Sequence, residues 1–185
     1  MSSVLCVYDI PEKLRITNPS AVFRRYGFRA NLSCWVFPQH LVPTEEIDRL
    51  KDAGAEVHMI EFAEKDQDKI LELARTELKK HAKHMMKFVT ERVSKLKAKL
   101  MAGESFEPEA VPQDVLYKKW RSVIATGKRE LLAAEHCAFG FQIDRDVADA
   151  LEALKNLLSS EFHLALAWRD QQRHNQQQPV LPGVS

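Results

Sequence analysis

Glycine, proline and cysteine are all scarce in this chain of 185 residues, at 6, 8 and 3. No Gly-rich phosphate loop, GxSxG elbow or HExxH pair occurs, which removes the common nucleotide-binding, hydrolase and metalloprotease signatures. Cys6, Cys34 and Cys137 are odd in number and widely spaced. They offer neither a disulfide framework nor a CxxC metal pair. No apolar run approaches the roughly 20 residues of a membrane span. The start of the chain lacks a basic stretch followed by a long apolar one, so cytoplasm is the expected compartment. What is present, 45% hydrophobic and 29% charged residues, suits a globular protein with one large domain or two small ones.

A net charge of +1 conceals a sharp division along the chain. Residues 1–43 hold five basic and two acidic side chains, residues 44–64 two and seven, residues 65–102 eleven and five, and residues 103–185 nine and twelve. The first and third segments would attract an anionic partner such as nucleic acid. A lysine-rich solvated helix face explains the third segment equally well.

Hydrophobic patterning divides the chain into two regions. Val4–Tyr8 is a short β-branched and apolar run ending before Pro11, as a buried strand does. Asn18-Pro19-Ser20 opens a helix, with Asn18 as its N-cap, and Gly27 closes it. Alternation over residues 29–37 predicts a second strand, with Ala30, Leu32, Cys34 and Val36 on one face. A short third strand is expected at Leu41-Val42. Thr44-Glu45-Glu46 caps a second helix that stops at Gly54, and residues 57–62 read as a fourth strand. The order β-α-β-β-α-β over residues 1–64 is that of a ferredoxin-like α+β sandwich.

From Asp66 the period becomes helical, with Leu71, Ala74, Leu78, Ala82, Met85, Val89, Val93, Leu96 and Leu100 forming one stripe to about residue 102. Such a helix is on the order of 50 Å long, too long to pack on 64 residues alone. After a breaker-rich acidic loop, two more amphipathic helices are predicted over 113–138 and 144–172. Three such faces bury one another in a helical arm or bundle over residues 65–172, within one chain or between protomers. Residues 173–185 carry little apolar material and read as a disordered tail.

Three short elements carry a family likeness: Val7-Tyr8-Asp9-Ile10-Pro11-Glu12-Lys13-Leu14-Arg15, Phe23-Arg24-Arg25-Tyr26-Gly27-Phe28, and Ser33-Cys34-Trp35-Val36-Phe37-Pro38. In this order they resemble the CRISPR-associated protein 2 superfamily, and more particularly the related domain of phenylacetate-catabolism repressors and chromate-resistance regulators. The likeness covers the first third of the chain. It implies a sheet unit that dimerises and cradles duplex DNA, with Asp9 at the position proposed to ligate a divalent metal in the nuclease-like members. In the regulator-like relatives the same Asp-Ile-Pro ends a strand, the carboxylate accepting hydrogen bonds from the next turn. The nuclease pattern is not followed at Trp35-Val36-Phe37-Pro38, and about 120 residues follow the sheet.

The candidate phosphate contacts are Arg15, Arg24, Arg25 and Arg29, interleaved with Tyr8, Tyr26, Phe28 and Trp35, and they continue into Lys79, Lys83 and Lys87 on the long helix. The alternative places the aromatics in the core and the arginines in solvent. His81 and His84 have helical spacing but no third ligand one turn on, and His136-Cys137 lacks a partner with nucleophile-base spacing. The leading expectation is a nucleic-acid-binding regulator or scaffold without a cofactor, binding DNA ahead of RNA and forming a homo-oligomer. Two others stand beside it: a Mg²⁺-dependent nuclease using Asp9, and an assembly protein that binds itself or another protein through the arm.

Overall fold

The computed structural model describes residues 2–10, 20–31, 33–101 and 112–177. The expected N-cap Asn18 and the candidate Arg15 lie outside the described residues. In chain order the elements are β1 (Ser3–Asp9), α1 (Ser20–Phe23), β2 (Phe28–Asn31), β3 (Cys34–Pro38), α2 (Thr44–Asp52), β4 (Glu56–Glu61), α3 (Gln67–Met101), α4 (Gln113–Gly140) and α5 (Asp144–Gln177). The protein is α+β, a four-stranded sheet followed by long helices.

The strands run in the order β2-β3-β1-β4, and every neighbouring pair is antiparallel. Strand alternation puts Val4, Cys6 and Tyr8 on one face of β1, opposite Phe37 and Trp35 of β3. Phe23 of α1 is the hub of this layer, edge-on to Tyr8, Trp35 and Phe37 at centroid distances of 5.7, 5.8 and 5.3 Å. Ile47 and Leu50 of α2 complete this core. Glu45 and Glu46 at the start of α2 and Arg49 and Lys51 at its end both suit the helix dipole. The helix ends on Gly54 at φ 89°, where the Ala55 amide donates to the Leu50 carbonyl at 2.9 Å, a closure that favours glycine because it has no Cβ.

Two sequence expectations fail within the sheet. The run over 29–37 is a hairpin, not one strand, because the chain turns at Ser33 and β2 pairs back onto β3. Polar and apolar residues keep alternating through that turn, so the pattern conceals it. Ala30 is consequently exposed, while Trp35 and Phe37 are buried. The stretch expected as a third strand is a 3-10 turn over Gln39–Leu41. In addition, α2 has Pro43 as its N-cap residue, with no side-chain capping bond from Thr44.

The other face of the sheet meets the bundle. Phe28 and Val36 belong to the same core as Ala74, Leu78, Ala138 and Phe141, and the Phe28 and Phe141 rings are 5.4 Å apart. A Cβ on Gly140 would lie 2.3 Å from Leu41 Cδ1, which shows how closely the end of α4 approaches the sheet unit. Ser3 Oγ donates to Gln67 Oε1 at 2.9 Å in a buried bond that pins β1 to the first residue of α3. Helices α3, α4 and α5 run antiparallel to their chain neighbours and share a continuous core that includes Val89, Val93, Trp120, Ile124, Leu154 and Leu158. Within the α3 stripe read from sequence, Leu71 and Leu96 are only half-buried, and Ile70 takes an inward place. Helix α5 continues through residues 173–177, where the sequence suggests a tail; glutamine and arginine are good helix formers by intrinsic propensity.

Candidate nucleic-acid interface

The sheet arginines are drawn into the junction between the sheet and the bundle. Arg24 Nη1 donates to Glu130 Oε1 of α4 at 2.9 Å, and His81 Nε2 of α3 stands 3.3 Å from Glu130 Oε2. Only the Arg24 contact has hydrogen-bond alignment, so it is the directional anchor. The His81 side chain first, and then the Arg24 guanidinium, hold the Glu130 carboxyl below its ordinary range against the opposing effect of burial. Arg24 and Arg29 line a cavity of about 150 Å³ with Trp35, Glu77, His81 and Glu130, where carboxylates balance the guanidiniums. Arg29 Nε also donates to the Asn31 backbone oxygen at 3.2 Å. Arg25 is exposed. Tyr8, Phe28 and Trp35 are buried, so these aromatics belong to the core and are not presented for base stacking.

On the arm the cations are placed differently. Lys79, Lys83 and Lys87 are exposed on α3, where Lys87 stands 3.8 Å from Glu91. Residues 78–101 and the antiparallel first half of α4, residues 113–129, together hold thirteen lysines and arginines against two carboxylates, Glu91 and Asp114. Lys97 is the inward-turned exception, 2.8 Å from Glu161 Oε2 and over the Trp120 ring. Four of the others, Arg92, Lys95, Lys99 and Lys119, rim a groove between α3 and α4 around Leu96, Leu116 and Val123, and among the described residues no carboxylate lines its wall, while Arg121 and Lys128 turn to the Phe162 ring of α5. From Lys79 to Lys99 the cations of α3 span roughly 30 Å, close to one turn of duplex DNA, in two rows, with Lys79, Lys83 and Lys87 on one side of the helix and Arg92, Lys95 and Lys99 on the groove side.

Lys119 and its neighbours Lys118 and Arg121 do not stand out in the sequence. The net negative charge of residues 103–185 masks them, although the helical register of α4 brings its first turns beside the end of α3. The carboxylates responsible for that average lie elsewhere: residues 130–152 hold six against one arginine, around the corner between α4 and α5. There Glu135, Asp144, Asp149 and Glu152 line a shallow groove.

Asp9 lies at the exposed end of β1, directly across the ladder from Glu56. Among the described residues no three His, Cys, Asp or Glu side chains group as metal ligands. Among the described residues, Asp9 and Glu56 therefore offer Mg²⁺ a solvated carboxylate pair, with the rest of the octahedron left to other ligands. The Cys6 and Cys137 thiols are pushed up by burial, to about 11 and about 12, so neither is a nucleophile at neutral pH. Among the described residues no helix is long and apolar enough to cross a membrane. Comparison with protein-family models, with curated proteins and with solved structures gives no match to this chain.

Proposed function

We propose that the protein binds nucleic acid, duplex DNA ahead of RNA, through the cationic face of α3 and α4, and that it acts as a regulator or scaffold. The observation that carries this reading is the excess of thirteen cations over two carboxylates on the distal part of two adjacent helices. Lys80 and Lys97 find Glu77 and Glu161 just outside these segments, and the other like charges repel one another, a repulsion that a polyanion laid along them relieves. The sheet unit is taken as a ferredoxin-like domain related to the CRISPR-associated protein 2 superfamily. The strand order β2-β3-β1-β4 and the packing of α1 and α2 on one face support that assignment. Its role here is to brace the arm, since Arg24 and Arg29 line the junction with α3 and α4.

Fluorescence anisotropy with a labelled duplex of arbitrary sequence tests the proposal. At low salt the full chain should bind, and Lys83→Glu with Lys87→Glu and Lys95→Glu should weaken binding at least tenfold. Absence of binding at low salt, or full affinity in the triple variant, would refute it.

A further inference from the structure

Phe139 and Leu132 are two of the most exposed large apolar side chains on the bundle, at 73% and 64%. They are seven residues apart on α4 and so project from one side of the helix, and Ala125, also exposed, stands seven residues earlier on the same line. Lys128 and Glu135, again seven apart, border this line on the α5 side. Lys128 Nζ is 4.3 Å from the Phe162 ring centroid, and Glu135 lines the acidic groove with Asp144 and Asp149 of α5.

We propose that two copies of the chain pair through this face, α4 against α4, antiparallel about a two-fold axis at Leu132. In that register Leu132 meets its own copy, and each Phe139 lies over the small Ala125 of the other chain. Each Lys128 meets a Glu135 across the flank. A parallel pairing sets Phe139 on Phe139, bulk against bulk, and turns the flank of Lys128 and Glu135 toward the opposite flank of the other chain, so that the two charges do not meet. The antiparallel arrangement also brings the basic first half of α4 over the acidic corner of the other copy, the complement of the charge division along the bundle. The contact is isologous and closes at two chains. A single helix pair lies at the small end of protein interfaces, so the dimer should dissociate on dilution. This inference does not depend on the nucleic-acid reading, and its test contains no nucleic acid.

Sedimentation equilibrium of the full chain should show a concentration-dependent dimer. Phe139→Glu or Leu132→Glu should give a monomer that melts where the parent does at concentrations too low for pairing, because both side chains stand in solvent in the single chain. Lys128→Glu or Glu135→Lys alone should weaken the dimer, and the two combined should restore it. In a Cys34→Ser background, Leu132→Cys should form a disulfide-linked dimer under mild oxidation. Phe139→Cys should do so only when mixed with Ala125→Cys. A strict monomer at all concentrations, a dimer indifferent to these substitutions, or Phe139→Cys linking to itself would each overturn the proposal.

Discussion

The sheet unit and the helical arm use the same residue types in opposite ways. In the sheet unit the aromatic rings of Tyr8, Phe23, Trp35 and Phe37 fill a compact core, and two of its arginines close the junction with the bundle. In the arm, small aliphatic residues such as Ala74, Ala82, Ala134 and Ala165 let three helices approach closely, and the lysines other than Lys97 remain outside. Arginines beside aromatics thus mark packing in one region, whereas plain lysines on a regular helix mark the surface available to a partner. Partners in space decide which cations are free.

The contrast is broken most severely at the ring hub. Phe23→Ala should cost about 4 kcal/mol, read from the shift in urea midpoint, because a buried ring with three edge-on neighbours leaves a void they cannot fill. A loss below about 1 kcal/mol would mean that the aromatic layer is not a packed core. Next comes Gly27→Ala at about 3 kcal/mol, since the new Cβ would stand 2.2 Å from the Val36 carbonyl oxygen, a backbone atom that cannot turn aside.

The junction yields a pH signature. Glu130 has its carboxyl held below the ordinary value of 4.5 in the fold, so it stabilises the native state above that pH, and this contribution disappears as the pH falls through the lower folded value. The melting temperature of Glu130→Gln should therefore fall well below that of the parent at pH 7, with the two converging as the pH drops below about 4. Parallel curves would show that Glu130 does not hold the sheet to the arm.

The smallest effect concerns the corner between α4 and α5. Gln142 has φ 57°, and the Ile143 amide donates to the Ala138 carbonyl at 3.0 Å. A side chain in the left-handed region is strained, so Gln142→Gly should stabilise the protein by about 1 kcal/mol. A decrease instead would show that the glutamine makes a compensating contact.

Long, strongly periodic elements are legible in the sequence: β1, the full length of α3, and the pairing of three helices all follow from apolar spacing. The hairpin at Ser33 is not, because alternation continues across it. The 3-10 turn at Gln39–Leu41 reads as a strand because Leu41 and Val42 are apolar whether or not they find a ladder partner. For the candidate site, Lys79, Lys83 and Lys87 are visible as a run on one helix. Lys119 is not, since its proximity to Lys99 depends on the antiparallel return of α4. The pairing of Arg24 is equally hidden, as Glu130 lies 106 residues further along the chain. Local pattern reveals faces, and only packing reveals which opposite charges they meet.

The central claim, that the arm and not the sheet unit contacts the polyanion, is tested most directly by the salt dependence of duplex binding. Each lost phosphate contact should flatten the plot of log affinity against log salt by about 0.9. Lys95→Gln with Lys99→Gln and Lys119→Gln should therefore reduce the slope by between about 2 and 3, while Arg24→Gln with Arg25→Gln leaves it unchanged. A slope that falls in the arginine pair and holds in the lysine triple would contradict the account.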